Sequence, residues 1–530
     1  MNSDRSHADM PGPDKDRVPL VADPATRAHA PRRSTGQAPL ASQPTRRAVG
    51  VIVGVLALAV FMSSLDLFIV NLAFPYIGKE YPGTTLSSLS WVLNAYTIVF
   101  AAVLVPAGRW ADRVGRRRVF IAGLAAFSIG SLLCGVAPSA LTLIGARVIQ
   151  AGGAGLMVPA SLSLLLASVP PSARPAAIGT WSAFGAMGAA FGPVIGGSLV
   201  QLSWRWVFFI NIPIGVAAIA LAVRVVPESR DPHAGRRPDL IGAALLAGGV
   251  GLVALGLVKA PTWGWGSPAF LGTMAAALAF GTALVIRSRA HHSPVIELGL
   301  LRSRTFSGAF VASILFYAAF GALILNFVEF LTGVWQYSAI QAGLAIAPGP
   351  LMVLPFARLV APLAARIGGP GRVAVLGSFV LAGAQLLWWV KIQAAPSYVT
   401  HLLPSQLLGG AGVGLAIPAL LGAGSAGLPP ARFGTGSGIL NMARQIGTVL
   451  GVAGLVALLS HRLASDPVPT FRHGTLLSIG LFVAAGVTAA GLLARRADAA
   501  AALASAETRV PTDPAEMAGA RASTAGSSAP

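Results

Sequence analysis

The chain has 530 residues, 55% of them hydrophobic and only 11% charged, where a soluble domain carries about 25% charge. That composition excludes a soluble globular protein and fits a polytopic membrane protein. Its apolar runs of about twenty residues suit helices rather than barrel strands, which alternate over about ten. The net charge of +20 would point to nucleic acid in a soluble protein; here the cations lie in short loops between apolar runs, so topology explains them and no nucleic-acid partner is expected. The single cysteine, Cys134, excludes an intramolecular disulfide and a cysteine metal cluster.

Residues 1–48 are polar and rich in Pro, Arg and Asp. With no apolar segment leading to a cleavage site, they are expected to form a disordered cytoplasmic tail. Spans follow near 49–77, 88–108, 119–137, 140–168, 175–201 and 205–226. Two more are expected near 239–258 and 268–287, and six near 306–332, 339–364, 372–393, 399–427, 433–460 and 474–494. Residues 495–530 read as a second disordered tail. The loop after span 2 holds Arg109, Arg113, Arg116, Arg117 and Arg118; that after span 6 holds Arg224, Arg230, Arg236 and Arg237; that after span 8 holds Arg287, Arg289, Arg302 and Arg304. The alternate loops are nearly bare, with Lys79, Arg205, Lys259, Lys391, Arg462 and Arg472. Both termini are therefore expected on the cytoplasmic side, which requires an even number of spans. Trp263-Gly264-Trp265 suits an outer interfacial belt and supports spans 7 and 8.

Part of the sequence repeats. ARVIQAGGAGLMVP from residue 146 lies over SQLLGGAGVGLAIP from residue 405, an offset of 259. Gly155, Leu156 and Pro159 recur as Gly414, Leu415 and Pro418, whereas Gly152 falls on Ala411. Gly188 and Gly192 fall on Gly447 and Gly451, and a weaker echo sets Arg113 and Gly115 over Arg366 and Gly368. This predicts two parallel halves related by an axis along the membrane normal, with substrate sites near the midplane where they meet. The expected organisation is a six-helix bundle at 49–227, a linker with two inserted helices at 228–290, and a second six-helix bundle at 291–494.

Few polar residues lie inside the spans, and those few are candidates for function. Asp66 is a costly carboxylate in the middle of span 1. Asn71 is five residues on, roughly 140° around the helix, so the two do not share a stripe. Pro75 follows, where the helix kinks or ends. In span 4, Arg147 is too deep to reach water comfortably and, with Gln150, needs a partner; a charge couple with Asp66 is plausible, as is a structural arginine bonded to carbonyls. After span 2, Gly108, Asp112, Arg113, Gly115 and Arg116 suggest a latch onto a neighbouring helix beyond a simple basic cluster. Gly185, Gly188, Gly192 and Gly196 form one glycine face on span 5, interrupted by Pro193, which reads as a bendable contact surface between the halves. In span 13, Ser437, Asn441, Arg444 and Thr448 make a polar stripe.

These stretches carry a resemblance. LDLFIVNLAFPYI (65–77), GRWADRVGRRRVF (108–120), RVIQAGGAG (147–155) and GAAFGPVIGG (188–197) resemble motifs of the major facilitator superfamily, specifically its fourteen-span drug/proton antiporter branch. WRWVFFINIPIG (204–215), YSAIQAGLAIAP (337–348) and SGILNMARQIGTVLGVA (437–453) are similar to branch-level motifs. The resemblance covers all the spans and neither tail. It implies an all-α integral membrane protein with the major facilitator fold: two six-helix bundles plus two inserted helices, fourteen transmembrane helices in all. It implies a multi-pass protein of the bacterial cytoplasmic (inner) membrane that exports small amphipathic compounds against inward-flowing protons. It would use the proton motive force rather than a cofactor, carry no catalytic or metal site, and work as a monomer. By the same resemblance Asp66 and Arg147 take part in proton coupling, Asp112 and Arg113 stabilise one conformer, and Gly188, Gly192, Pro193, Gly196 and Gly197 form the antiporter motif. Asn71, Gln150, Asn441 and Arg444 are assigned to the substrate path. The chain departs from the pattern at Ala151, where glycine is usual, and at Glu329 and Arg358, charged residues in apolar stretches. Glu329 is either a further proton site, a group near the outer interface, or a partner of Arg358. An uptake carrier for a small polar solute, proton-coupled or facilitated, is the alternative function.

Overall fold

A computed structural model describes residues 46–170, 174–230, 238–426, 428, 433–459 and 467–494. The expected tails, except residues 46–48, and the loop arginines Arg236, Arg237 and Arg462 lie outside the described residues. Helices of the N-terminal half are α1 (Arg46–Glu80), α2 (Leu86–Val114), α3 (Arg116–Gly135), α4 (Ala140–Ser168), α5 (Arg174–Leu202), α6 (Trp206–Phe209) and α7 (Asn211–Val225). Next come α8 (Leu240–Trp263), α9 (Pro268–Ala290) and one short turn, α10 (Leu298–Leu301). The C-terminal half holds α11 (Arg304–Gly333), α12 (Ala339–Ile346), α13 (Pro348–Ile367), α14 (Pro370–Lys391), α15 (Leu403–Ser425), α16 (Phe433–Leu459) and α17 (Pro467–Ala489). With α6 joined to α7, and α12 to α13, the described residues give 14 helices long and apolar enough to cross a membrane. This agrees with the expected count; the largest boundary difference is the last span, which starts at Pro467 rather than near 474.

Local chemistry sets the breaks. Capping boxes at Thr85 with Ser88, Ser139 with Thr142, and Ser338 with Gln341 start α2, α4 and α12 by satisfying otherwise orphaned backbone donors. Gly115 (φ 130°) separates α2 from α3, and Gly368 (φ 86°) separates α13 from α14. These are the two glycines that the repeat sets over one another, and both hold a backbone conformation that favours glycine. Pro75 does not end α1, which runs on to Glu80.

The duplication is visible in packing. α1 lies against α5, and α4 against α2 and α3; correspondingly α11 lies against α16, and α15 against α13 and α14. A Cβ on Gly188 would come within 2.5 Å of the Phe61 carbonyl, and one on Gly192 within 2.7 Å of the Phe68 side chain. Their repeat partners Gly447 and Gly451 press in the same way on the carbonyls of Ile314 and Ala318 in α11. The glycine face is therefore not the contact surface between the halves expected from the sequence. Gly188, Gly192 and Gly196 bring α5 against α1 inside the N-terminal half. The neighbouring Pro193 and Gly197 reach across, to Gly343 and Ala339 of α12.

The halves meet along two seams, α2 with α16 and α5 with α12 and α13. Counted within each half these are the second and fifth spans, so the seams correspond under the repeat. The inserted helix α8 packs on both α2 and α16, alongside the first seam, and α9 packs on α8. Asp239, 1% exposed, ties this hairpin together. Its carboxylate accepts the Gly242 amide at 2.8 Å and Arg287 Nε at 2.6 Å.

Candidate functional site

The core of the N-terminal half carries one polar cluster. Asp66 and Arg147 are both wholly buried, with Nη1 of Arg147 2.6 Å from Oδ2 of Asp66. Taking each ion out of water costs several kcal/mol, recovered only where geometry is good and the remaining polar atoms are bonded. Here they are. Gln150 Nε2 donates to Asp66 Oδ1 at 2.8 Å, while its Oε1 accepts Arg147 Nη1 at 2.7 Å. Arg147 Nε donates to the Val92 carbonyl at 3.1 Å. Asn211 Nδ2 reaches Asp66 Oδ1 at 3.3 Å and Ser131 Oγ at 3.0 Å, and Gln150 also donates to Ser131 at 3.0 Å. The cluster draws on α1, α2, α3, α4 and α7, so it locks five spans of one half together. Tyr96 completes it, its ring 4.0 Å from the Arg147 guanidinium, close enough for cation–π attraction.

The charge couple expected between Asp66 and Arg147 is thus present in the geometry. Gln150, assigned to the substrate path from sequence, sits instead inside this cluster, because Gln150 is one turn beyond Arg147 on the same face of α4. Asn211, Ser131 and Tyr96 were missed. Asn211 stands out as a polar residue within WRWVFFINIPIG, a signal that could have found it; Ser131 and Tyr96 depend on how their helices are rotated.

The other expected path residues line α1 and α16. Asn71 bonds back to the Leu67 carbonyl at 2.8 Å, and Asn441 to the Ser437 carbonyl at 3.0 Å. Arg444 lies over the Tyr317 ring of α11 at 5.6 Å from its centroid. Phe320 is 6.4 Å from Tyr317 and 6.2 Å from Phe68 of α1, so an aromatic row spans the middle of the interface between halves. Glu329 is nine residues beyond Phe320 on α11, about 180° around the helix and away from that row. Its Oε1 is enclosed without a hydrogen-bond partner among the described residues. It forms no ion pair with Arg358, which is exposed.

At the end of α2 the expected latch takes a different form. Asp112 does not bond a neighbouring helix; it accepts Arg116 Nε at 2.7 Å, one turn on, because Gly115 turns α3 back towards it. Arg113 is exposed and makes no ion pair among the described residues. Arg116 and Arg117 instead meet the segment after α7: the Arg116 amide donates to the Ser229 carbonyl at 3.0 Å, and the Arg117 amide to Glu228 at 3.0 Å. A Cβ on Gly115 would stand 2.9 Å from the Glu228 carboxylate. Glu228 thus caps the start of α3, where a negative charge is favourable. Gly108 stands in ordinary contact with Pro159 of α4, at 3.8 Å. The ion pair that reaches the chain beyond the inserted helices is one the sequence did not assign: Arg109 Nη2 to Glu297 Oε1 at 3.0 Å.

A second clasp closes the opposite ends of these helices. Arg205 bonds Glu80 at 2.5 Å and the carbonyls of Gly135 and Ala137 at 3.0 Å each. Trp204 Nε1 also donates to Glu80. Tyr81 donates to the Ala137 carbonyl at 2.7 Å. Burial raises the Tyr81 phenol above its ordinary value, with Arg205 opposing, so it stays a donor at neutral pH.

Comparison with known proteins agrees with this architecture. The Major Facilitator Superfamily profile matches residues 56–452. The tetracenomycin C resistance and export protein of Streptomyces glaucescens is 31% identical over 437 residues, 81% of this chain and 80% of that protein. The methylenomycin A resistance protein of Streptomyces coelicolor is 33% identical over 481 residues, 87% of this chain and 97% of its own length. The multidrug resistance protein Stp of Mycobacterium tuberculosis is 34% identical over 430 residues, 78% of each chain. Among solved structures, a POT family transporter in complex with 5-aminolevulinic acid superposes with a TM-score of 0.62 at 16% identity, covering 85% of this chain and 96% of that one. At that identity the likeness concerns the fold alone.

Proposed function

The chain belongs to the Major Facilitator Superfamily, and from that premise we propose that it exports amphipathic drugs or secondary metabolites from a bacterial cell across the cytoplasmic membrane in exchange for protons. Relatives bearing resistance and export names over most of this chain's length support the direction of transport. The observation that carries the coupling mechanism is the buried Asp66–Arg147 pair with its Gln150 and Asn211 donors. A proton on Asp66 removes the negative partner of Arg147 and leaves that guanidinium to Gln150, the Val92 carbonyl and the Tyr96 ring. The cluster then has two arrangements, each tied to a protonation state, and such a pair can bias rigid bundles between two conformers. On this reading the Asp112–Arg116–Glu228 cap and the Arg109–Glu297 pair hold one face closed in one of them. The termini are placed in the cytoplasm, from the arginine-rich loops, and one chain is the transporting unit.

The test is a drug-susceptibility and efflux panel in cells overproducing the protein, with and without a protonophore. Efflux that a protonophore abolishes, and that Asp66→Asn abolishes without loss of membrane insertion, is the expected result. Normal pumping by Asp66→Asn overturns the role given to it. Counterflow in vesicles under an imposed pH gradient separates export from uptake of a small polar solute.

A further inference from the structure

Arg444 is a cation deep within α16, yet among the described residues it has no carboxylate partner. Its neighbours are phenols: Tyr317, over whose ring it lies, and Tyr96 on α2, the helix packed against α16 across the seam. Both carboxylates nearest in chemistry are otherwise placed. Asp66 is held by Arg147, Gln150 and Asn211. Glu329 lies twelve residues beyond Tyr317, about 18 Å further along α11. An arginine so placed keeps its charge and needs an anion or strong acceptors. Tyr96 adds a second, independent sign. It is wholly buried, and its hydroxyl has no hydrogen-bond partner among the described residues. A buried donor left unpaired costs about 1–3 kcal/mol, so this hydroxyl is poised for a group that arrives with the cargo. Beside Arg444 runs the aromatic row Tyr317, Phe320 and Phe68, flat faces suited to stacking on another ring.

We propose that Arg444 and Tyr96 are the anion-recognition pair of the transport site, and that the preferred cargo is a planar aromatic compound bearing an acidic group, a carboxylate or an acidic phenol. The acidic group lodges between the guanidinium and the Tyr96 hydroxyl, one from each half, while the rings lie against Phe320 and Phe68. A bound anion therefore bridges the halves. Tyr96 also covers Arg147, so cargo and proton sites share one side chain. This rests on the export reading for its context, but binding can be measured without transport.

Three fluorescent probes of one shape separate the possibilities: anthracene carboxylate, its methyl ester, and aminomethyl anthracene, titrated against the purified full chain in detergent. The carboxylate is expected to bind at least about 10-fold more tightly than the ester, with the ammonium probe weakest. Arg444→Gln should remove the carboxylate's advantage and leave ester binding within about 2-fold, while Arg444→Lys keeps most of it. Tyr96→Phe, which keeps the ring over Arg147, should weaken the carboxylate several-fold and spare the ester. Equal binding of the three probes by the natural chain, no binding of any, or an Arg444→Gln change that weakens carboxylate and ester alike overturns the proposal. Protonophore-sensitive drug efflux without any carboxylate advantage would leave export standing and sink anion recognition. Selective carboxylate binding without protonophore-sensitive efflux would do the reverse.

Discussion

Arg147 and Asp66 lie 81 positions apart in the chain and 2.6 Å apart in space, both without solvent exposure. Removing one partner strands the other as a lone buried charge. Arg147→Ala is expected to destabilise the N-terminal half by about 3–5 kcal/mol, seen as a lower midpoint in thermal unfolding of the detergent-purified protein. Asp66→Asn keeps the shape and the hydrogen bonds from Gln150 and Asn211, so it should cost less while abolishing proton-driven export. If the two variants unfold together and both retain coupled efflux, the pair is merely structural.

The Arg109–Glu297 contact is partly exposed, so it is worth no more than about 1 kcal/mol. That is still enough to shift a two-state equilibrium roughly 5-fold. Charge reversal at Arg109 alone should change the labelling rate of a cysteine placed on the facing end of α16, in a background where Cys134 is serine. The double reversal Arg109→Glu with Glu297→Arg should restore it. Unchanged labelling in the single variant would mean that the contact is incidental.

The glycine face separates packing from function. Gly188→Ala and Gly447→Ala, at matched positions of the two halves, each force a methyl into a backbone carbonyl across the helix contact, at about 1–3 kcal/mol. Gly54→Ala and Gly152→Ala, with nothing within 4 Å of the added atom, should be neutral or slightly stabilising. Thermal melts of the four variants decide it; equal behaviour would contradict the packing described.

Glu329→Gln is expected to retain protonophore-sensitive efflux, since the residue faces away from the aromatic row. A loss of coupling equal to that of Asp66→Asn would instead make Glu329 a shared proton carrier.

Much of this is legible in the sequence itself. Span count follows from apolar run length, and the repeat from residues such as Gly188 and Gly447, whose backbone contacts now explain them. The Asp66–Arg147 pairing could be read because each is an expensive residue in a membrane and each needs the other. What could not be read depends on rotation and on partners distant in sequence. Gln150 joins the ion pair rather than the substrate path because helical spacing fixes a face, not what that face meets. Glu297 lies 188 positions from Arg109, and no local pattern joins them. The glycine face encodes close approach but not the partner helix, which is why it meets α1 rather than the other half.

The inserted helix α8 touches α2 and α16, one seam of the two, and α9 leans on α8. A solute dissolved in the bilayer therefore meets two unlike flanks. On one, an extra hairpin lies along the line where the halves meet; on the other, neither inserted helix packs against α5 and α12–α13 among the described residues. The two halves are equivalent by duplication, but their surroundings are not.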